Sequence, residues 1–299
     1  MDRREALKRI AAETAAGDIA FPTSAEVALR VQRALDDPDC HIEAAGRLVQ
    51  TEPLLAARVV ALANSVAFNR SGRVVTEVRI AVQRLGFRMI RALATAVVAR
   101  QLAGVSTNPR HRLLAEQLWE HSTHVAALAH VLARRVTRQD PETAIFAGVV
   151  HEVGAFYLLS RTNDYPCLLE AQPLLETVAG RDGENEDQDE DEGEEEANAE
   201  GNGKLGEAVL KKLSVPDKVV EAIENMWKGY MAIPPTSLGD TLLLADSLAP
   251  VRSPLRAMIV TDGPGRQTDI DMVIGADTLS GILKESADEV ESMIVALRF

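Results

Sequence analysis

The chain has 299 residues, 46 % hydrophobic but only 4 % aromatic, and carries 45 acidic against 32 basic side chains for a formal net charge of −13. That length allows one large domain or two, and an apolar content rich in Ala and Leu favours helices, which cost these side chains little entropy. The opening stretch M-D-R-R-E-A-L-K-R-I is charged where a secretory leader would be apolar, and no run approaches the ~18 apolar residues of a spanning helix. The expectation is therefore a cytoplasmic protein without a targeting or membrane segment. Cys40 and Cys167 stand far apart with no CxxC spacing and read as free thiols.

The acidity is local. Residues 182–203 hold 12 Asp and Glu and no Lys or Arg, and the rest of the chain has 33 acids against 32 bases. Residues 1–112 carry 17 Lys and Arg against 11 acids, and within them residues 70–112 carry nine Arg and one acid, Glu77.

Helical periodicity recurs from the N-terminal side onward. Pro22-Thr23-Ser24 reads as a helix start with Ser24 as cap, opening a helix over 25–35 that Asp36-Asp37-Pro38-Asp39 ends. Helices are expected over 42–50 and 54–64, then, after a loop at 69–72, over 75–102 with an interruption near Gly86. Asn108-Pro109 marks a boundary, followed by helices over 112–136, 141–160 and 165–178. Residues 180–203 are acidic and low in complexity; they cannot bury enough apolar surface to offset their ordering entropy and read as a disordered insertion. Further helices are expected over 204–213, 216–228, 237–249, 269–275 and 277–297. No alternating strand pattern persists, so the fold class is all-α.

Three of these helices each aim a polar group inward. His121 shares a face with Val125, Leu128 and Leu132, offsets that fall within about 40° of one another at 3.6 residues per turn. His151, followed by Glu152, shares a face with Ala147, Gly154 and Leu158, and Asp246 lies among Leu242 and Ala249. An acid among apolar residues needs a partner, because burying a lone carboxylate is costly. Either the groups form a polar cluster that pins the core, or they share a site.

The order His121, His151-Glu152-x-Gly154, Ala245-Asp246 resembles the H…HD…D pattern of the HD-domain metal-dependent phosphohydrolases, and more closely their relatives, the HDOD (HD-related output domain) proteins. Supporting stretches are Phe21-Pro22-Thr23, Asp36-Asp37-Pro38-Asp39, T-E-P-L-L-A-A-R-V-V-A-L-A-N-S at 51–65, Ala81-Val82-x-x-Leu85-Gly86, A-G-V-V-H-E-V-G at 147–154, Leu205-Gly206-x-x-Val209-Leu210, and Val215-Pro216-x-x-Val219-Val220-x-Ala222-Ile223. The resemblance covers about 20–250. It implies an N-terminal helical bundle over 1–110 packed on an HD-like helical bundle over 111–299, the two forming one module.

The departures bear on chemistry. The HD enzymes carry Asp after the second His, where this chain has Glu152, a carboxylate moved out by about 1.5 Å. Asn202-Gly203-Lys204 and Glu224-Asn225-Met226 stand where active relatives carry further histidines. A hydrolytic metal centre needs several fixed ligands and an open water position. His121, His151, Glu152 and Asp246 are therefore expected to be vestigial, with no catalytic residue, no required cofactor, and at most a weakly held divalent ion. HDOD proteins are generally signalling outputs without catalysis, so the resemblance implies a regulatory module that binds a protein partner. The competing class is a phosphohydrolase acting on nucleotides or cyclic dinucleotides through those four residues.

Two other features could carry interactions. Arg84, Arg88 and Arg91 fall at i, i+4 and i+7 and could offer a basic stripe to an acidic partner or to nucleic acid. Few aromatics lie nearby for base stacking, which argues against single-stranded nucleic acid. The acidic insertion could dock on that stripe over a range of about 8 Å, the Debye length at physiological salt. Residues 41–64 have helix-turn-helix spacing, but 54–64 is mostly Ala, Leu and Val where a reading helix needs polar donors. Gly263-Pro264-Gly265 is a turn without the Lys-Ser/Thr of a phosphate loop.

Overall fold

The computed structural model describes residues 2–298 except 20, 23, 24, 36, 38, 105, 107, 170–203, 230 and 256–275. Among the described residues the regular structure is helical, with no strand. The proposed cap Ser24, the helix expected over 269–275 and the acidic insertion fall outside them.

The first helix, α1 (Arg3–Ala15), was not among the expected elements. Asp2 caps it by accepting from the Glu5 N–H at 2.7 Å, and Ala6 and Ile10 are fully buried. Helices α2 (Glu26–Leu35), α3 (Ile42–Gln50) and α4 (Pro53–Ala63) follow close to expectation. Pro53 starts α4, where its missing N–H costs nothing, and the Glu52 carboxylate caps the Leu55 N–H. All three pack on α5 (Val78–Ala103), which bends at Gly86, a residue at φ 76° and ψ 163° that a side chain would strain.

Helix α6 (Pro109–Leu132) is capped by Asn108 and runs into a π-helical turn over Ala133–Thr137, which Arg138 closes in the left-handed region. The stretch expected as one helix over 141–160 is two: α7 (Pro141–Val150), capped by Asp140, and α8 (Val153–Ser160). The break falls on His151 and Glu152, and Glu152 leaves helical geometry at φ −98° and ψ 13°. From the helix expected over 165–178, the described part holds only a 3₁₀ turn at Pro166–Leu168.

Helix α9 spans 204–212, and α10 (Asp217–Lys228) stops at Gly229, left-handed at φ 73°. Helix α11 (Leu238–Leu248) opens on a reciprocal Ser237–Asp240 capping box. The final stretch, expected as one helix over 277–297, divides at Ser286 into α12 (Ala276–Glu285) and α13 (Ala287–Leu297).

One buried core runs through both expected halves. Helix α5 carries α2, α3 and α4 and also packs on α7 and α8. The C-terminal helix α13 closes over α4 and α6: the Trp119 indole N–H donates to Leu297 O and Arg58 to Ala296 O, each at 3.2 Å. The segment Pro141–Asn163 is apolar enough by length and composition to cross a membrane, but 89 % of its most apolar window is buried inside the bundle, as a core helix would be. Its burial rests on close backbone approach. A Cβ on Gly148 would lie 2.5 Å from Ala126 Cα, and one on Gly154 would lie 2.9 Å from Gly206 Cα. Small residues thus seat α7 against α6 and α8 against α9.

Candidate functional site: a buried His-His-Glu-Asp cluster

The close α6–α7 contact brings the sequence-selected polar groups together. His121, in the middle of α6, has its Nδ1 2.8 Å from Val251 O, and His151, at the C-cap of α7, has its Nδ1 2.7 Å from Gly148 O. A carbonyl only accepts, so each Nδ1 carries the proton and each Nε2 is left for the interior. The two Nε2 atoms face one another at 3.2 Å. Asp246, near the end of α11, places Oδ1 3.2 Å from His121 Nε2. Glu152, turned inward by the α7–α8 break, places Oε1 3.8 Å from both Nε2 atoms. Ligand atoms of His121, His151 and Asp246 all lie within 4.8 Å of one another.

The cluster is largely buried. Side-chain exposure is 1 % for His121, 0 % for His151, 7 % for Glu152 and 8 % for Asp246. Burial works against a charge on His121, but its hydrogen bond to Asp246 and the Glu152 and Asp246 carboxylates outweigh it and raise the pKa. Burial dominates at His151 and pushes its pKa down. Glu152 Oε2 is buried and makes no hydrogen bond.

These residues fit a small divalent ion. Bonds of about 2.0–2.2 Å to imidazole nitrogen and carboxylate oxygen put neighbouring donors of a four-coordinate ion roughly 3.4 Å apart. The observed separations of 3.2, 3.2, 3.8 and 3.8 Å bracket that value.

All four residues singled out in the sequence, His121, His151, Glu152 and Asp246, thus meet in one place. The carbonyls of Gly148 and Val251, which orient the rings, escaped sequence reasoning. A backbone acceptor leaves no trace in residue type, although the smallness of Gly148 hinted at close approach. Other histidines have structural roles: His124 bonds Glu120 O, His111 sits between the Ser106 and Thr162 hydroxyls, and His130 packs on Phe68 and pairs with Glu289.

The arginines do not form a free stripe. Gly86 breaks the helix between Arg84 and Arg88. Arg84 donates to Ala63 O and Arg73 O, at 2.8 and 3.0 Å. Arg88 pairs with Asp140 at 2.6 Å, and Arg91 donates to Leu35 O at 3.2 Å. Each ties α5 to a neighbouring segment.

The HDOD domain family matches residues 21–228. The chain belongs to the HDOD family. Solved structures share the fold along nearly its whole length. One is from Shewanella amazonensis SB2B, a protein provisionally named a metal-dependent phosphohydrolase, at 21 % identity and a TM-score of 0.66 over 99 % of both chains. Another is an HDOD domain protein of unknown function from Geobacter sulfurreducens, at 18 % identity and a TM-score of 0.55 over 98 % of this chain and 97 % of that one. A third, provisionally named a signal transduction protein, comes from Marinobacter aquaeolei VT8, with 18 % identity and a TM-score of 0.55 over 95 % of this chain and 61 % of its own. No curated protein matches the chain at a significant level. The HDOD match extends through α10, so it covers the helices that carry His121, His151 and Glu152 but ends before Asp246 on α11.

Proposed function

We propose that this HDOD protein is a non-catalytic regulator of the cytoplasm that acts by binding a protein partner in a signalling pathway, with the helical bundle as its scaffold. The observation that supports this most is the burial of the candidate site. A hydrolytic metal centre must leave a coordination position open to water and admit a phosphate ester. Here both imidazoles are at most 1 % exposed and both carboxylates at most 8 %. Where the resemblance implies further histidines in active relatives, this chain carries Asn202-Gly203-Lys204 and Glu224-Asn225-Met226. In this reading the residues orient one another and hold α6, α7, α8 and α11 in register, and no catalytic metal is required.

The test is co-purification of the full chain from its native cell, followed by titration of the captured protein with wild-type and surface-charge variants. A saturable one-to-one complex, with no turnover of phosphodiesters by either component, is the expected result. A second reading, a metal-dependent phosphohydrolase, is favoured by one observation: ligand atoms of His121, His151 and Asp246 converge within 4.8 Å. Hydrolysis of cyclic dinucleotides by the metal-loaded protein, abolished by His151→Gln, would establish it. For binding through Arg84, Arg88 and Arg91 no observation speaks, since each is engaged within the chain.

A further inference from the structure

We propose that two copies of this chain associate through the outer face of α4 and the adjoining edge of α13, related by a two-fold axis near Val295. Such an interface is independent of what the buried cluster does.

Helix α4 reads P-L-L-A-A-R-V-V-A-L-A, apolar throughout except for Arg58, and that guanidinium donates to Ala296 O at 3.2 Å. Leu55, Val59, Leu62 and Ala63 face the core. The other side is not covered within the chain: Leu54 is 45 % exposed, Ala57 is exposed and Ala61 half-buried. A surface helix ordinarily turns charged and polar residues outward. Helix α3 does so, exposing Glu43, Arg47 and Gln50. Helix α4 leaves apolar carbon in water instead, and covering it is favourable.

Helix α13 extends this face. Ser292 Oγ accepts from the Val66 N–H at 3.0 Å and Ala296 O accepts from Arg58, so α13 lies along α4. Val295 falls between those two attachment points and is 58 % exposed, and Val66, in the turn after α4, is 56 % exposed. Leu54 and Ala61 lie about one turn to either side of Arg58, on the flank of α4 toward α13. Leu54, Ala57, Ala61, Val66 and Val295 thus make one apolar band across α4, its following turn and α13.

The charges beside the band select what covers it. Asp288, Glu291, Val295 and Arg298 are all exposed, and their spacing puts them within about 80° of one another around α13. The edge of α13 therefore runs from acid through apolar to base. A two-fold contact brings the same patch from both copies together, and a patch of this order is complementary to itself turned end for end. With the axis near Val295, Arg298 meets Glu291 of the second copy, and the pair occurs twice. Asp288 adds to the acidic end. Within the chain Arg298 reaches Glu120 at 3.4 Å, with both side chains well exposed. A surface pair of that kind contributes little, and the five N–H donors of a guanidinium leave room for a second carboxylate. A foreign surface of one charge sign would suit one end of the edge and be repelled at the other. Ala57 and Ala61, one turn apart, let α4 approach its copy closely.

The experiment measures the mass of the full chain by sedimentation velocity from about 1 to about 100 µM, which spans the weak end for interfaces of standard size. A shift from monomer to dimer is expected. Val295→Asp places two carboxylates together at the axis and should weaken association by at least about 10-fold. The orientation has its own test. Glu291→Arg alone and Arg298→Glu alone each set like charges opposite one another and should be monomeric where the wild type is a dimer. An equimolar mixture of these two variants restores both pairs and should form a heterodimer. Far-UV circular dichroism checks that the variants remain helical. If Val295→Asp unfolds, the wild-type mass and the mixing experiment decide. A wild type still monomeric at about 100 µM would overturn the proposal. So would a dimer indifferent to Val295→Asp and to both charge reversals, or a mixture that stays monomeric.

Discussion

Gly148→Ala should loosen the bundle at the contact that assembles the cluster. The added methyl carbon would sit 2.5 Å from Ala126 Cα, 2.8 Å from Ala126 N and 3.2 Å from Ala126 Cβ. Ordinary carbon contacts are about 3.5–4.0 Å. The two nearest obstructing atoms are backbone in the middle of α6, so no rotamer change gives relief and α7 must retreat by about 1 Å. Overpacking of this kind costs about 1–3 kcal/mol, and replacing Gly by Ala in a helix returns up to about 1 kcal/mol. The net loss should be about 1–2 kcal/mol, which for a chain of this size lowers the melting temperature by roughly 2–8 °C. Gly281→Ala is the control: it lies in α12, and its Cβ would meet nothing within 4 Å, so only the helix-propensity gain applies. Differential scanning calorimetry of both variants decides. If Gly148→Ala melts at or above wild type, as Gly281→Ala should, the close α6–α7 approach does not position the site and the argument fails.

Other perturbations have equally definite outcomes. The Glu289 carboxyl is held at about 2 by the nearby His130 imidazole and by the hydrogen-bonded Arg134, against the opposing effect of burial. Its folded pKa is depressed, so the stability it adds is present above its ordinary value near 4.5 and is lost as pH falls toward about 2. Glu289→Gln should therefore cost about 1–2 kcal/mol at pH 7, allowing for solvent screening, and the gap in urea midpoint should narrow below pH 4.5; a gap independent of pH would refute the assignment. The Asp240 carboxylate accepts from the N–H groups of Ala232, Thr236 and Ser237 at 3.0, 3.0 and 2.9 Å. Asp240→Ala should cost about 2–4 kcal/mol and speed amide exchange at those three positions, whereas unchanged exchange would show that the loop is held by something else. Deleting residues 182–203 should raise binding to a polyanion at low salt and lose the difference at high salt; equal binding by both proteins at low salt would remove any role for the acidic insertion in masking basic surface.

Helix periodicity was enough to place His121 and Asp246 inside the bundle, because a 3.6-residue repeat assigns a face without any knowledge of the neighbour. The same reasoning reached His151 but treated its segment as one helix over 141–160. Gly148 and Gly154 weaken the helix by propensity but do not mark where it breaks. The break comes from tertiary demand: the His151 ring takes the Gly148 carbonyl that a continuing helix would use, and Glu152 turns in toward two imidazoles. Helix α1 was overlooked because its charges drew notice, although Ala6 and Ile10 lie one turn apart behind an Asp2 cap. The arginines erred in the other direction. Their spacing was that of a stripe, but Gly86 at positive φ divides the helix beneath them, and unsatisfied carbonyls at Ala63, Arg73 and Leu35 claim two of the three. Sequence spacing reports where a side chain starts; which backbone acceptor it ends on depends on packing that no local pattern encodes.

The most direct test of the account is turnover. The full chain, reloaded in separate samples with Zn²⁺, Mn²⁺ and Fe²⁺, is incubated with cyclic dinucleotides and with an activated phosphodiester, beside His151→Gln under the same conditions. If the buried cluster serves packing alone, hydrolysis is no faster than that of the variant or of free metal. Metal-dependent turnover by the wild type that disappears in His151→Gln would contradict it and make the chain a phosphohydrolase.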